Sequence, residues 1–192
     1  MALRPSQMLA LGTQAPDFNL PNIKSGAKQS LGQLQGTHGT LVVFMCNHCP
    51  YVVYLLDALV AWIHEHQKKG INTVAISSNS ILTHPQDGPD AMKRLALEKG
   101  FEFPYLFDAT QEVALDYQAA CTPDFYLFDA QLKLFYRGRF DAARPGNEIP
   151  ITGEDLSKAA LALLSGQNTP AKQYPSMGCN IKWHEDRMPD YY

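Results

Sequence analysis

The stretch Leu41–Val60, "LVVFMCNHCPYVVYLLDALV", decides how this chain is read. Its apolar, β-branched opening makes Thr40–Met45 a buried strand. From Val52 the apolar residues Val52, Leu55, Leu56, Leu59, Val60 and Ile63 return at spacings of three and four. That period is one face of a helix, and Gly70 behind Lys68 and Lys69 is a C-terminal stop. Two thiols, Cys46 and Cys49, stand where the strand ends and the helix begins.

A cysteine becomes a nucleophile when its thiolate is stabilised, and the unpaired N–H groups and positive dipole end of a helix start do this. The C-x-x-C spacing lets the two sulfurs close a small disulfide ring, so the pair reads as a redox dithiol. His48 between them adds positive charge, which lowers a thiolate pKa and makes the disulfide more oxidising. If Pro50 takes the first helical position, Cys49 becomes the N-cap residue and gains most from the helix end. Two other readings of the same residues stay open. The pair could be inert and buried. It could instead hold Cu(I) or zinc as a carrier, through Cys46, Cys49 and a histidine, or with Cys179-x4-His184 as a four-ligand zinc set.

The rest of the chain sets the context. Its 192 residues, 45% hydrophobic and 18% charged, suit one globular domain, with a core over about 12–166 and a tail, 167–192, packing on it. A net charge of −3 leaves no basic footprint for nucleic acid. Four cysteines in this length do not describe a disulfide scaffold. The N-terminus lacks the basic segment and long apolar core of a signal peptide, and no apolar run is long enough to span a membrane, so a cytosolic protein is expected.

Working outward, "GTQAPDFNLPNIKSGAKQSLGQLQGTHG" suits a β-hairpin or extended cover with no helix. Ile71–Ser77 is a second buried strand, a helix runs from Pro89 to before Gly100, and "FPYLFD" is a short strand. Gln111–Tyr117 is a short helix, and two antiparallel strands flank the turn at Asp129-Ala130-Gln131. Thr152 and Asp155 resemble a capping box for a last helix with the buried stripe Leu156, Ala159, Ala160, Leu163 and Leu164. The tail reads as irregular, anchored by Tyr174, Met177, Ile181 and Trp183.

"APDFNL", the strand ending in C-N-H-C, and "CTPDFYLFD" resemble the thioredoxin-like superfamily, and more narrowly the peroxiredoxin-like branch of the AhpC/TSA family. "YRGRFDAARPGNEIPITGEDL" and "SMGCNIKWH" resemble one bacterial set within that branch. The resemblance implies an α/β thioredoxin-like (glutaredoxin-type) fold: a central mixed β-sheet flanked by helices, with an N-terminal β-hairpin and an extra β-α insertion. It implies that Thr122-Pro123 is a cis-proline dipeptide that faces the thiols and presents backbone to substrate. Thioredoxin-type geometry, in which the first cysteine attacks, nominates Cys46 as nucleophile and Cys49 as resolver. "CPYV" also resembles a glutaredoxin site, where the cysteine before proline attacks, which keeps Cys49 in play.

One departure matters. Typical peroxiredoxins carry P-x-x-x-T-x-x-C; aligned on Cys49 this chain has Val42 and Cys46 at the Pro and Thr positions, and aligned on Cys46 it has Gly39 and Val43. The peroxide-holding hydroxyl is absent in either register, so a thiol–disulfide oxidoreductase is expected ahead of a thiol peroxidase. Its substrate would be a disulfide-containing protein or small molecule, recycled by a thioredoxin- or glutathione-type reductant without a cofactor. Cys121 reads as a small buried residue, and Cys179 as an additional thiol if the tail folds back. Arg137, Arg139 and Arg144 read mostly as solvated edge charges, one of which could steady a thiolate.

Overall fold

The computed structural model describes residues 3–191. The chain runs β1 (Leu3–Pro5), β2 (Asn19–Pro21), β3 (Lys28–Ser30), α1 (Leu31–Leu34), β4 (Gly39–Phe44), α2 (Pro50–Gln67) and β5 (Ile71–Ser77). It continues through α3 (Pro89–Glu98), β6 (Tyr105–Phe107), α4 (Glu112–Asp116), β7 (Cys121–Thr122), β8 (Asp124–Asp129), β9 (Leu134–Gly138), α5 (Glu154–Leu164) and β10 (Met177–Asn180). The central sheet has the order β6-β5-β4-β8-β9. β4, β5 and β6 are parallel, while β8 and β9 are antiparallel additions, as expected of a mixed sheet.

β4 sits in the middle of that sheet and is buried along its whole length. Its side chains alternate between two cores, as a strand of period two requires. Leu41 and Val43 join the core under α2, α3 and α5, with Leu56, Leu59, Ile63, Met92 and Leu156. Val42 and Phe44 face Val74, Ile76, Tyr117 and Tyr126 in the other. The six apolar residues read as the helix face of α2 are all buried. Each such side chain contributes roughly 1.5–3 kcal/mol. Gly70, at φ +82°, takes the left-handed conformation that ends the helix.

Three local expectations are corrected. The leading segment forms the β2–β3 hairpin but also the one-turn helix α1, whose capping box pairs Ser30 with Gln33. No such box opens α5: its N-cap is Gly153 in the left-handed region, and the Asp141 carboxylate accepts from the Thr152 and Gly153 N–H groups. The tail is not wholly irregular. β10 lies between β1 and β7 in a second sheet, with Leu3 opposite Cys179 and Cys179 opposite Thr122. No helix among the described residues is long and apolar enough to cross a membrane.

Candidate active site

The parallel strands β4, β5 and β6 all point their C-terminal ends to one edge of the sheet, where loops carry chemistry in open α/β folds. β8 starts at that same edge, with Asp124 opposite Phe44. This register brings the cis Thr122–Pro123 bond against the end of β4, where the thiols lie. All four cysteines are free and buried, and Cys46, Cys49 and Cys179 share one cluster.

Cys49 is the N-cap of α2, in extended conformation, with Pro50 at the first helical position and no acidic residue in the first turn. Its sulfur does not cap the helix, but it stands at the positive end of the dipole. Donors crowd it. The Cys46 thiol lowers the Cys49 pKa most, burial opposes this, and the Thr122 hydroxyl, the Cys179 thiol and the Cys179 N–H add to the lowering, which brings Cys49 to about 5. The contact that opposes ionisation is the Thr122 carbonyl, 3.0 Å from the sulfur, which only a protonated thiol can use. Cys46 moves the other way, well above the ordinary thiol range, because it donates to Cys49, is buried, and lies near Asp87.

His48 is brought to the site, though not as a simple cation beside the thiols. Its Nδ1 is 2.7 Å from an Asp87 carboxylate oxygen and 3.9 Å from the Cys46 sulfur, and its ring stacks on His84 with centroids 5.1 Å apart. Asp87 is fully buried and accepts from the Asn47 N–H at 2.9 Å and from Asn79 Nδ2 at 2.8 Å. It therefore clamps the turn between the two thiols. Asn79 also accepts from the Lys182 N–H at 2.8 Å, which couples that clamp to the tail.

Thr122 supplies what the sequence alignment lacked. Its hydroxyl lies 3.5 Å from the Cys46 sulfur, so a hydroxyl does face the thiols, from beside Pro123 instead of from β4. Beside Pro123 a small cleft of about 50 Å³ opens between Tyr51 and Leu55 of α2, Arg139–Arg144 and Pro175–Met177. Cys121 is buried, and desolvation raises its pKa well above the ordinary value, so it is inert.

Arg137 corrects the edge-charge reading, while Arg144 stays exposed. Arg137 is fully buried, pairs with both Asp124 carboxylate oxygens, and stacks 3.8 Å over the Tyr126 ring. It fixes the residue after Pro123. Arg139 pairs with Asp155 at 2.7 Å and lies over Tyr174. The alternative four-ligand zinc set is not the group assembled. Among the described residues the group with ligand atoms within 4.8 Å of one another is Cys46, His48 and Asp87, whereas His184 contacts the Ala109 carbonyl at 3.2 Å. Asp87 was missed because it lies in an ordinary polar loop, forty positions from Asn47 in sequence.

The AhpC/TSA family profile matches residues 11–137, the span that carries both thiols and the cis-proline loop. The chain belongs to the AhpC/TSA family. Among solved structures it is similar to an uncharacterized conserved protein from Geobacillus kaustophilus, with 48% identity, a TM-score of 0.95, and 96% of this chain and 98% of that one covered. A hypothetical protein from Sinorhizobium meliloti shows 41% identity, a TM-score of 0.92, and coverage of 94% and 98%. A secreted disulfide oxidoreductase of Mycobacterium tuberculosis shows the same fold at 18% identity and a TM-score of 0.57, covering 76% of this chain and 95% of that one. No curated protein matches the chain. This AhpC/TSA member is thus a thiol redox protein of thioredoxin-like fold, with Cys46 and Cys49 in a C-x-x-C arrangement. α5, β10 and Cys179 lie beyond the matched span.

Proposed function

We propose that the protein is a thiol–disulfide oxidoreductase in which Cys49 attacks and Cys46 resolves, the reverse of the order expected from sequence. One observation carries this: Cys49 is the N-cap of α2, which sets its sulfur at the positive end of the helix and 3.0 Å from the Thr122 carbonyl of the cis-proline loop. The Cys49 thiolate attacks one sulfur of a substrate disulfide, forming a mixed disulfide and expelling a thiolate that takes up a proton. Cys46 then gives up its proton and attacks the Cys49 sulfur. The second substrate thiol leaves, and a Cys46–Cys49 disulfide remains. One dithiol of thioredoxin type, or two monothiols of glutathione type, returns the pair to the reduced state and leaves as a disulfide. β10 occupies the Thr122 backbone, so the substrate approaches through the cleft beside Pro123, which takes a side chain next to the disulfide.

The reading is tested with an aromatic disulfide whose released thiolate absorbs visible light. Cys49→Ser removes the fast release, and Cys46→Ser keeps it. The opposite pattern returns the attack to Cys46, and no fast release from the parent protein sinks the exchange reading. The Thr122 hydroxyl favours a second reading, a thiol peroxidase in which Cys49 is oxidised to sulfenic acid and Cys46 condenses with it. Consumption of hydrogen peroxide faster than of the disulfide would put this reading first.

A further inference from the structure

Cys49 has two thiol neighbours, not one. β10 runs antiparallel beside β7 with Cys179 directly opposite Thr122, the residue whose carbonyl lies 3.0 Å from the Cys49 sulfur. The approach is close because of Gly178: a Cβ there would stand 2.0 Å from the Thr122 carbonyl oxygen. Directly opposed residues of an antiparallel pair put their side chains on one face, so Cys179 stands on the face where the Thr122 hydroxyl lies 3.5 Å from the Cys46 sulfur. Cys179 is buried in the same core as Cys46 and Cys49.

We propose that Cys179 is a second resolving thiol, competing with Cys46 for the mixed disulfide at Cys49 and forming a Cys49–Cys179 bond that ties β10 to the start of α2. The proposal rests on Cys49 being the attacking residue. In the step, the Cys179 thiol gives up its proton and its sulfur attacks Cys49. The bond between Cys49 and the substrate sulfur breaks, and the substrate thiolate leaves with that proton. The protein dithiol has then been oxidised by two electrons and the substrate disulfide reduced to two thiols. Cys46 can later displace Cys179 from Cys49 with no net change in oxidation, so the two disulfides interconvert.

The surroundings favour this exit. Burial pushes Cys179 up to about 12, and the hydrogen bond and charge of the Cys49 thiolate add to the rise, while Lys182 opposes it. Once Cys49 is held in a mixed disulfide, its charge and hydrogen bond are gone and the Lys182 cation remains. Cys46 is relieved in the same way but keeps the Asp87 carboxylate nearby, which resists ionisation. The new bond would also hold Pro175–Met177, one wall of the cleft beside Pro123, against α2.

The test uses one equivalent of 5,5′-dithiobis(2-nitrobenzoate) and the full chain. The Cys46→Ser variant is expected to release two equivalents of chromophore and to join the tryptic peptides Gln29–Lys68 and Gln173–Lys182 by a disulfide. Cys46→Ser with Cys179→Ala is expected to stop at one equivalent and keep the adduct on Cys49. Cys179→Ser, nearly isosteric with the thiol, repeats that comparison if alanine perturbs the strand. If Cys46→Ser itself stops at one equivalent and Cys179 stays open to alkylation after denaturation, the proposal is overturned while the exchange reading stands. If the Cys46→Ser variant releases nothing while the parent protein does, Cys49 is not the attacking residue and the proposal falls, with disulfide exchange passing to Cys46.

Discussion

At the scale of single residues, the Cys49 sulfur draws its acidity from neighbours that can be removed one at a time. Its largest support is the Cys46 thiol, ahead of the Thr122 hydroxyl and Cys179. The alkylation rate of Cys49 with iodoacetamide is therefore expected to rise with pH through a midpoint near 5. Cys46→Ala should move that midpoint upward, and Cys46→Ser, which keeps a donor, should move it less. An unchanged midpoint in Cys46→Ala, followed by mass spectrometry, would show that the Cys46 thiol does not hold the thiolate. Much of this site was legible beforehand: the C-x-x-C, the place of Pro50 and the Thr122-Pro123 dipeptide are local patterns. Asp87 was not, since its role comes only from the fold closing its loop over Asn47 and His48. Arg137 was misread for a related reason. A strand charge looks solvated until its partner, Asp124, is seen on the neighbouring strand.

At the scale of elements, periodicity recovered α2, α3, β5 and the β8–β9 pair, because their apolar residues face a core over several turns or pleats. β1, β7 and β10, of two to four residues, carry no such signal, since their partners rather than their own side chains decide that they are strands. β10 nonetheless decides how Cys49 is covered, and Gly178 is its point of closest approach. Gly178→Ala is expected to cost about 1–3 kcal/mol, the usual range for overpacking, as a lower midpoint in urea with an unchanged slope. It should also speed alkylation of Cys49 at neutral pH, because the strand must move off the Thr122 carbonyl. Loss of stability without faster alkylation would mean that another element shields the sulfur.

At the scale of the whole molecule, the thiolate makes stability depend on pH. Cys49 titrates near 5 in the fold and near 8.5 in an unfolded chain. A depressed pKa stabilises the reduced fold fully above the unfolded value, and the gain is lost as pH falls through the folded one. The reduced protein should therefore gain up to about 1.4 kcal/mol per pH unit between 5 and 8 relative to Cys49→Ser. Parallel urea melts of the two reduced proteins check this, and equal pH slopes would rule it out. Above the ordinary thiol range the trend reverses, because Cys46 and Cys179 resist ionisation in the fold. Among the described residues the most C-terminal strand is held by the most N-terminal one: β10 pairs with β1, and the Ser6 N–H donates to the Ser176 carbonyl 170 positions away. During synthesis the dithiol thus leaves the ribosome well before the strand that will roof it. A nascent chain carries an open pair of ordinary thiols, and the mature chain an acidic but sheltered one, so access for oxidants is greatest at birth.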